Sequence, residues 1–294
     1  MPLFDYARAS TIGEAIALLN DPRRVSRPLA GGTDLLVQAR HTKPNFQRLV
    51  DVSRIPAMRS VACEEGEIRI GAAVTYTEVV ESPLLCEHAA CLVEAARLVG
   101  GPAIANTGTL GGNVGNGAAC ADGVPPLVCL DALAHVANSE GMRAVPVADL
   151  LLGPHQTALQ PGDLITHFTF PLLPAGARSV FLKIGRRNAQ AIARLNVAVA
   201  GRLSADGRIE FVRVVPGSAL PRLRRFTEVE DMLLGERPST ALFEAAGAAA
   251  SRVMVAATGW RWSTDYKTIA LQALVSRALR QVFRMQESNG THAH

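Results

Sequence analysis

Lysine is almost missing from this chain: of 30 basic residues only Lys43, Lys183 and Lys267 are lysines, and none stands in a Gly-Lys-Ser/Thr sequence. That excludes a P-loop, and the lack of a complete G-x-G-x-x-G excludes the ordinary dinucleotide fingerprint. Aromatic residues are scarce at 5%, and the arginines are dispersed and balanced by 26 acids to a formal net charge of +4. No basic block with interleaved aromatics is present, so nucleic-acid binding is not expected. The five cysteines, Cys63, Cys86, Cys91, Cys120 and Cys129, show no C-x-x-C spacing of the kind that holds zinc or iron–sulfur clusters. Their odd number predicts reduced thiols, most of them in the core, and a cytoplasmic protein. No apolar run reaches the roughly 20 residues a membrane span needs, and the first residues lack the basic and apolar regions of a signal peptide.

Catalytic patterns are equally thin. His41, His88, His135, His155 and His167 have no ligand spacing, and neither a serine elbow nor a carboxylate pair suited to hydrolysis occurs. Glycine, by contrast, is plentiful at 25 residues and is clustered twice, in Ala30-Gly31-Gly32-Thr33-Asp34 and Thr109-Leu110-Gly111-Gly112-Asn113. Each cluster lies between a strand-like and a helix-like run. Without a Cβ, glycine admits positive φ and close backbone approach, and successive amides form a concave anion site. Thr33, Thr109 and Asn113 add side-chain donors. Two such clusters, remote in the chain, are expected to clamp one diphosphate. Asp34, just after the first cluster, is expected to cap the helix that follows.

The patterning predicts an α+β protein. Its 48% hydrophobic content and 294 residues suit two or three small cores. Thr11 to Glu14 offers a capping box before a helix ending at Leu19, and strands are expected at 25–30 and 49–52 around a helix at 34–40, a small βαβ-like unit. Further on, a strand at 67–73, a capping box at Thr75 to Glu78 and one amphipathic helix over 83–99 are expected. A short helix at 122–131 and strands at 132–138, 144–147 and 164–171 follow. The Pro- and Gly-rich stretch 171–176 reads as a linker. It divides residues 1–175, with subdomains 1–55 and 56–175, from a C-terminal domain over 176–287 made of a three-stranded sheet and three helices. Residues 288–294, including His292 and His294, read as a disordered tail. Trp260 and Trp262 are expected to be core or subunit-interface anchors.

From end to end the chain resembles the FAD-binding medium subunit of the molybdenum hydroxylases, the group of xanthine dehydrogenase, carbon monoxide dehydrogenase and 4-hydroxybenzoyl-CoA reductase. The resemblance is carried by Leu29-Ala-Gly-Gly-Thr-Asp-Leu-Leu36, Ile70-Gly-Ala-Ala73, Gly108-Thr-Leu-Gly-Gly-Asn113, Asp122, Pro161-Gly-Asp-Leu-Ile165, Lys183-Ile-Gly-Arg-Arg187 and the helix around Tyr266, in that order. It implies a p-cresol methylhydroxylase/vanillyl-alcohol oxidase type FAD domain of two subdomains followed by a small α+β domain. It also implies that Leu29, Ala30, Gly31, Gly32, Thr33, Asp34 and Leu35, with Thr109, Gly111, Gly112 and Asn113, hold the FAD pyrophosphate. Asp122 would bond the ribityl chain, and Leu164 and Lys183 would lie near the isoalloxazine. A snorkelling surface role for Lys183 stays open.

The implied partners are a large subunit carrying a molybdopterin cytosine dinucleotide-type molybdenum cofactor and a small [2Fe-2S] subunit, arranged as a dimer of heterotrimers. The chain departs from the pattern at Ile104-Ala105-Asn106-Thr107, where relatives carry arginines, and at Ala118-Ala119, where they carry Ser-Pro. It also lacks the cysteine-bearing loop of the 4-hydroxybenzoyl-CoA reductases, so no cluster is expected here. Two alternatives remain at this stage: a self-contained flavin oxidoreductase of the same superfamily, and a nucleotide-binding assembly protein without turnover.

Overall fold

In the computed structural model residues 4–42, 44–187 and 190–285 are described, so the expected tail with His292 and His294 lies outside the described residues. The chain opens with three short strands, β1 (Asp5–Arg8), β2 (Ser26–Leu29) and β3 (Arg48–Asp51), in a parallel sheet of order β1-β3-β2. The βαβ expectation holds for β2, the helix Leu35–His41 and β3, while β1 is an addition: its four residues show no clean alternation of exposure. Pro28 is tolerated because β2 is an edge strand. The first glycine cluster leaves the C-terminal end of β2, where parallel α/β units place their ligands.

A five-stranded antiparallel sheet follows, built from β4 (Val61–Glu64), β5 (Glu67–Gly71), β6 (Leu133–Asn138) and β7 (Gly141–Pro146) and, after a small hairpin of β8 (Leu151–Gly153) and β9 (Gln156–Thr157), from β10 (Leu164–Pro171). Its order is β4-β5-β10-β6-β7. The central β10 buries Phe168 and Phe170 completely or nearly so. Each such phenyl contributes about 1.5–3 kcal/mol by leaving water.

Thr75 and Glu78 form the expected capping box. At Thr11 the box is only half made, because Glu14 accepts from the Ser10 backbone and hydroxyl instead. The single helix expected over 83–99 is two, Pro83–His88 and Ala90–Arg97, broken at Ala89 (φ −136°, ψ 46°). The Ser179 hydroxyl accepts from the Cys91 amide at 3.1 Å, capturing a donor that a continuous helix would have used internally. From the second helix Glu94 accepts from the Phe181 amide at 2.6 Å, tying it to the neighbouring edge strand, and burial pushes the Glu94 carboxyl above its ordinary pKa.

The C-terminal sheet is antiparallel, with order β11 (Arg178–Gly185), β12 (Ala193–Leu203), β13 (Ile209–Gly217), as its pattern predicts. Its two faces serve different cores. Leu195, Val197, Val199, Val212 and Val214 pack under the helices Thr227–Leu233, Thr240–Thr258 and Thr264–Val282. Phe181, Ala198, Ala200 and Val215 point the other way, into the core of the N-terminal part. Strand alternation then turns Lys183 and Asn196, cross-strand partners two residues from Phe181 and Ala198, toward that same N-terminal part.

Candidate cofactor site

Residues from both N-terminal sheets line a cleft of about 450 Å³, within the roughly 300–1,000 Å³ usual for ligand sites. Leu29, Ala30, Gly31, Gly32, Thr33, Asp34, Leu35, Thr109, Gly111, Gly112, Asn113 and Leu164 all line it; Asp122 and Lys183 do not. Across its floor the two glycine loops touch. A Cβ on Gly31 would overlap the Thr107 carbonyl and press on Gly108 Cα at 3.0 Å, so only glycine lets the backbones meet. Gly32 alone of the four has positive φ, +69°. The helices that leave the two loops are bridged by Gln38 Nε2 donating to Asn116 Oδ1 at 3.2 Å.

The loops are not equivalent. Among the described residues, the amides of Gly31, Gly32, Thr33, Asp34 and Leu35 have no backbone acceptor, and the first internal bonds of the helix come from Leu36 to Gly32 and Gln38 to Asp34. Asp34 does not cap it: its backbone is αR and its carboxylate accepts no cap hydrogen bond. A run of donors is therefore left for an anion in the cleft.

In the second loop the expectation of exposed amides fails. Leu110 donates to Val74 O, Gly111 to Ala72 O at 2.8 Å, Gly112 to Thr109 Oγ1 at 3.1 Å and Asn113 to Thr109 O. These bonds, with a Thr75–Thr109 bridge, stitch the loop to the segment after β5. What it offers the cleft is side-chain chemistry: the Thr109 hydroxyl proton and the Asn113 amide, whose Oδ1 is held by the Gly123 N–H at 3.1 Å. A Cβ on Gly112 would meet a single neighbour, Thr109 Oγ1 at 2.9 Å, close enough that the Thr109 side chain would have to shift.

Tyr76, which the sequence shows only as part of a capping box, also lines the cleft, and its buried hydroxyl has no hydrogen-bond partner among the described residues. Burial, reinforced by Asp122 and Asp34, holds the phenol well above its ordinary pKa, so it stays protonated. An unpaired buried hydroxyl and a run of free amides fit an oxygen-rich, anionic ligand such as FAD.

Two family models account for most of the chain: the FAD binding domain in molybdopterin dehydrogenase matches residues 2–173, and the CO dehydrogenase flavoprotein C-terminal domain matches residues 180–282. The chain belongs to the FAD-binding subunits of the molybdopterin dehydrogenases. It is 30% identical to the xanthine dehydrogenase FAD-binding subunit of Escherichia coli O157:H7, over 95% of this chain and 97% of that one. It is 29% identical to the carbon monoxide dehydrogenase medium chain of Hydrogenophaga pseudoflava, over 95% and 96% of the two chains. The solved carbon monoxide dehydrogenase of that organism superposes with a TM-score of 0.89 at 28% identity, covering 96% of this chain and 98% of its counterpart. These findings make the protein an oxidoreductase subunit with a FAD-binding domain and bear out the α+β fold.

In this FAD subunit Asp122 and Lys183 lie beside the cleft rather than on its wall. Lys183 Nζ donates to Asp122 Oδ2 at 2.5 Å and to Leu98 O at 3.0 Å, and Asn196 Nδ2 donates to Asp122 Oδ1 at 2.9 Å. The snorkelling role for Lys183 is thereby overturned, since its side chain is 7% exposed. Burial pushes the Asp122 carboxyl above its ordinary pKa, opposed by the Lys183 ammonium and by the hydrogen bonds from Lys183 and Asn196. The trio joins the C-terminal sheet to the second glycine segment.

Asp163, inside the Pro161-Gly-Asp-Leu-Ile165 stretch, is a cleft residue that the motif alone does not single out. It lines the cleft and accepts from Arg143, Asn138 and the Gln160 amide. Although burial pulls its pKa up, these bonds hold the carboxyl below its ordinary value. Two lesser expectations change, and one pairing is added. Cys91 and Cys129 are buried, but Cys63 and Cys86 are exposed and Cys120 is intermediate, so most thiols are not core. Trp260 and Trp262 are 69% and 87% exposed, which removes the core reading and leaves the interface one. His135 and His167, cross-strand partners on β6 and β10, stack with centroids 4.1 Å apart.

Proposed function

We propose that this FAD subunit is an electron relay: it takes electrons from [2Fe-2S] clusters on a small partner subunit and passes them through FAD to a terminal acceptor. Substrate oxidation then belongs to the molybdenum cofactor of a large partner subunit. In this reading residues 1–175 hold the cofactor, residues 176–287 form the second domain, and the complex is a cytoplasmic dimer of heterotrimers. Relatives support it, for they are the medium chain of a carbon monoxide dehydrogenase and the medium subunit of a nicotine 6-hydroxylase.

The observation that carries the reading is the run of unpaired amides from Gly31 to Leu35 facing a cleft whose described lining contains no histidine, cysteine, lysine or glutamate. Its acidic groups are Asp34, Asp163 and Tyr76, with Asp163 held by Arg143 and Asn138 and the Tyr76 phenol kept protonated, which suits binding and orienting a cofactor. Bound FAD would supply the redox chemistry, accepting and releasing electrons singly or in pairs. The chain's own work is to seat the diphosphate on the first loop, to direct the Thr109, Asn113 and Tyr76 donors at cofactor oxygens, and to tie the C-terminal sheet to the N-terminal part through the buried Asp122–Lys183–Asn196 trio. Exposed Trp260 and Trp262 would serve as contacts for a partner subunit.

The purified chain carrying FAD tests this. Bleaching of the flavin band by the reduced iron–sulfur partner, and not by organic substrates alone, is the expected result. Bleaching by a substrate without any partner makes the chain a self-contained flavin oxidoreductase. Failure to take up flavin at all favours an assembly protein.

A further inference from the structure

We infer that the Tyr76 hydroxyl is a cofactor-positioning donor, giving its hydrogen bond to an oxygen of the FAD diphosphate or ribityl chain at the junction of the two glycine loops. The inference rests on the reading that FAD fills the cleft. Tyr76 is held on both sides: its amide donates to Gly108 O at 3.2 Å, and the flanking Val74 carbonyl accepts from Leu110 at 3.0 Å. Its ring packs closely beside Gly108, where a Cβ would sit 3.5 Å from the ring edge. The side chain therefore has little freedom to seek a partner elsewhere.

The hydroxyl itself is buried at the cleft without an acceptor. Of the two nearby carboxylates, Asp122 is occupied by Lys183 and Asn196, and neither Asp122 nor Asp34 accepts from the phenol. Gly123 packs close by, where a Cβ would lie 2.9 Å from Asn113 Oδ1, 3.1 Å from Leu110 Cδ1 and 3.3 Å from the Tyr76 hydroxyl, so a side chain there would crowd the phenol. A buried donor without an acceptor destabilises the chain that carries it, and an acceptor arriving with a ligand removes that penalty. The apoprotein holds this penalty and the complex relieves it.

That arrangement gives Tyr76→Phe effects of opposite sign on two measurements made with the full-length chain stripped of FAD. The expected result is a five- to fiftyfold rise in the FAD Kd, read by flavin fluorescence titration, together with an apoprotein melting temperature equal to or above wild type. A purely structural hydroxyl would lower the apoprotein melting temperature, and that outcome overturns the inference. So does an FAD Kd within twofold of wild type, which would mean that solvent satisfies the phenol in the complex. A wild-type chain that takes up no FAD overturns the reading of the cleft and this inference with it, whereas tight wild-type binding with an unaffected variant sinks the inference alone.

Discussion

Gly112→Val is expected to separate cofactor binding from folding. The residue lies within the helix Leu110–Asn116, where valine is no worse a helix former than glycine. Its missing Cβ has one neighbour within 4 Å, Thr109 Oγ1 at 2.9 Å, so the added methyls project into the cleft. The cost to the fold should stay within about 1 kcal/mol, the propensity gain offsetting the tight contact. For the cofactor the valine stands between the diphosphate and the Thr109 and Asn113 donors. Losing two charge-assisted bonds at about 1.5–3 kcal/mol each removes roughly 3–6 kcal/mol, or about 10²- to 10⁴-fold in Kd. FAD titration of the apoprotein, paired with its thermal unfolding, reads both quantities. A Kd within threefold of wild type refutes the reasoning. Gly31→Ala is the contrast: its Cβ overlaps the Thr107 carbonyl, so the apoprotein itself should lose about 1–3 kcal/mol through overpacking while FAD is lost as well.

Lys183→Met should destabilise the chain by several kcal/mol, because it strands a buried Asp122 carboxylate, and adding Asp122→Asn should recover most of the loss in urea unfolding. If the double variant is no better than the single, the trio is not coupled as described. The pH dependence of stability should carry a His167 component: burial, the stacked His135 and Arg69 depress its pKa to about 4, whereas the unfolded imidazole titrates near 6.5. The unfolded chain binds that proton first, so stability contributed by neutral His167 is lost as pH falls from about 6.5 toward 4. His167→Gln should flatten this part of the profile, and an unchanged slope would count against the assignment. The joint variant Trp260→Ala/Trp262→Ala should leave FAD content unchanged while weakening co-purification with the partner subunits at least tenfold; loss of flavin instead would place these residues in the cofactor site.

Much of this architecture was legible in the sequence, because its signals are local. The two glycine clusters, the Thr75 capping box and the alternation of β11 to β13 depend on neighbouring residues, and all stand in the structure. The misses arise from contacts between distant segments. At the helix break by Ala89, the Cys91 amide is captured by a serine 88 residues further along the chain. In the second loop the Leu110 and Gly111 amides are consumed by Val74 and Ala72, about 40 residues earlier, which no reading of Gly111-Gly112 alone reveals. Lys183 and Asp122 pair across 61 residues because strand alternation fixes which way Lys183 points. Tyr76 was visible only as a helix residue, since the lack of an acceptor is a property of its surroundings.

The central claim is that the amides of residues 31–35, unpaired in the protein, close on the diphosphate of FAD. Hydrogen–deuterium exchange of the apoprotein and the FAD-loaded chain, resolved to single residues, tests it directly. The account predicts strong protection on FAD binding at Gly31 to Leu35 and little further change at Leu110 to Asn113, whose amides are already bonded. Equal exchange at Gly31 to Leu35 in the two states would contradict it.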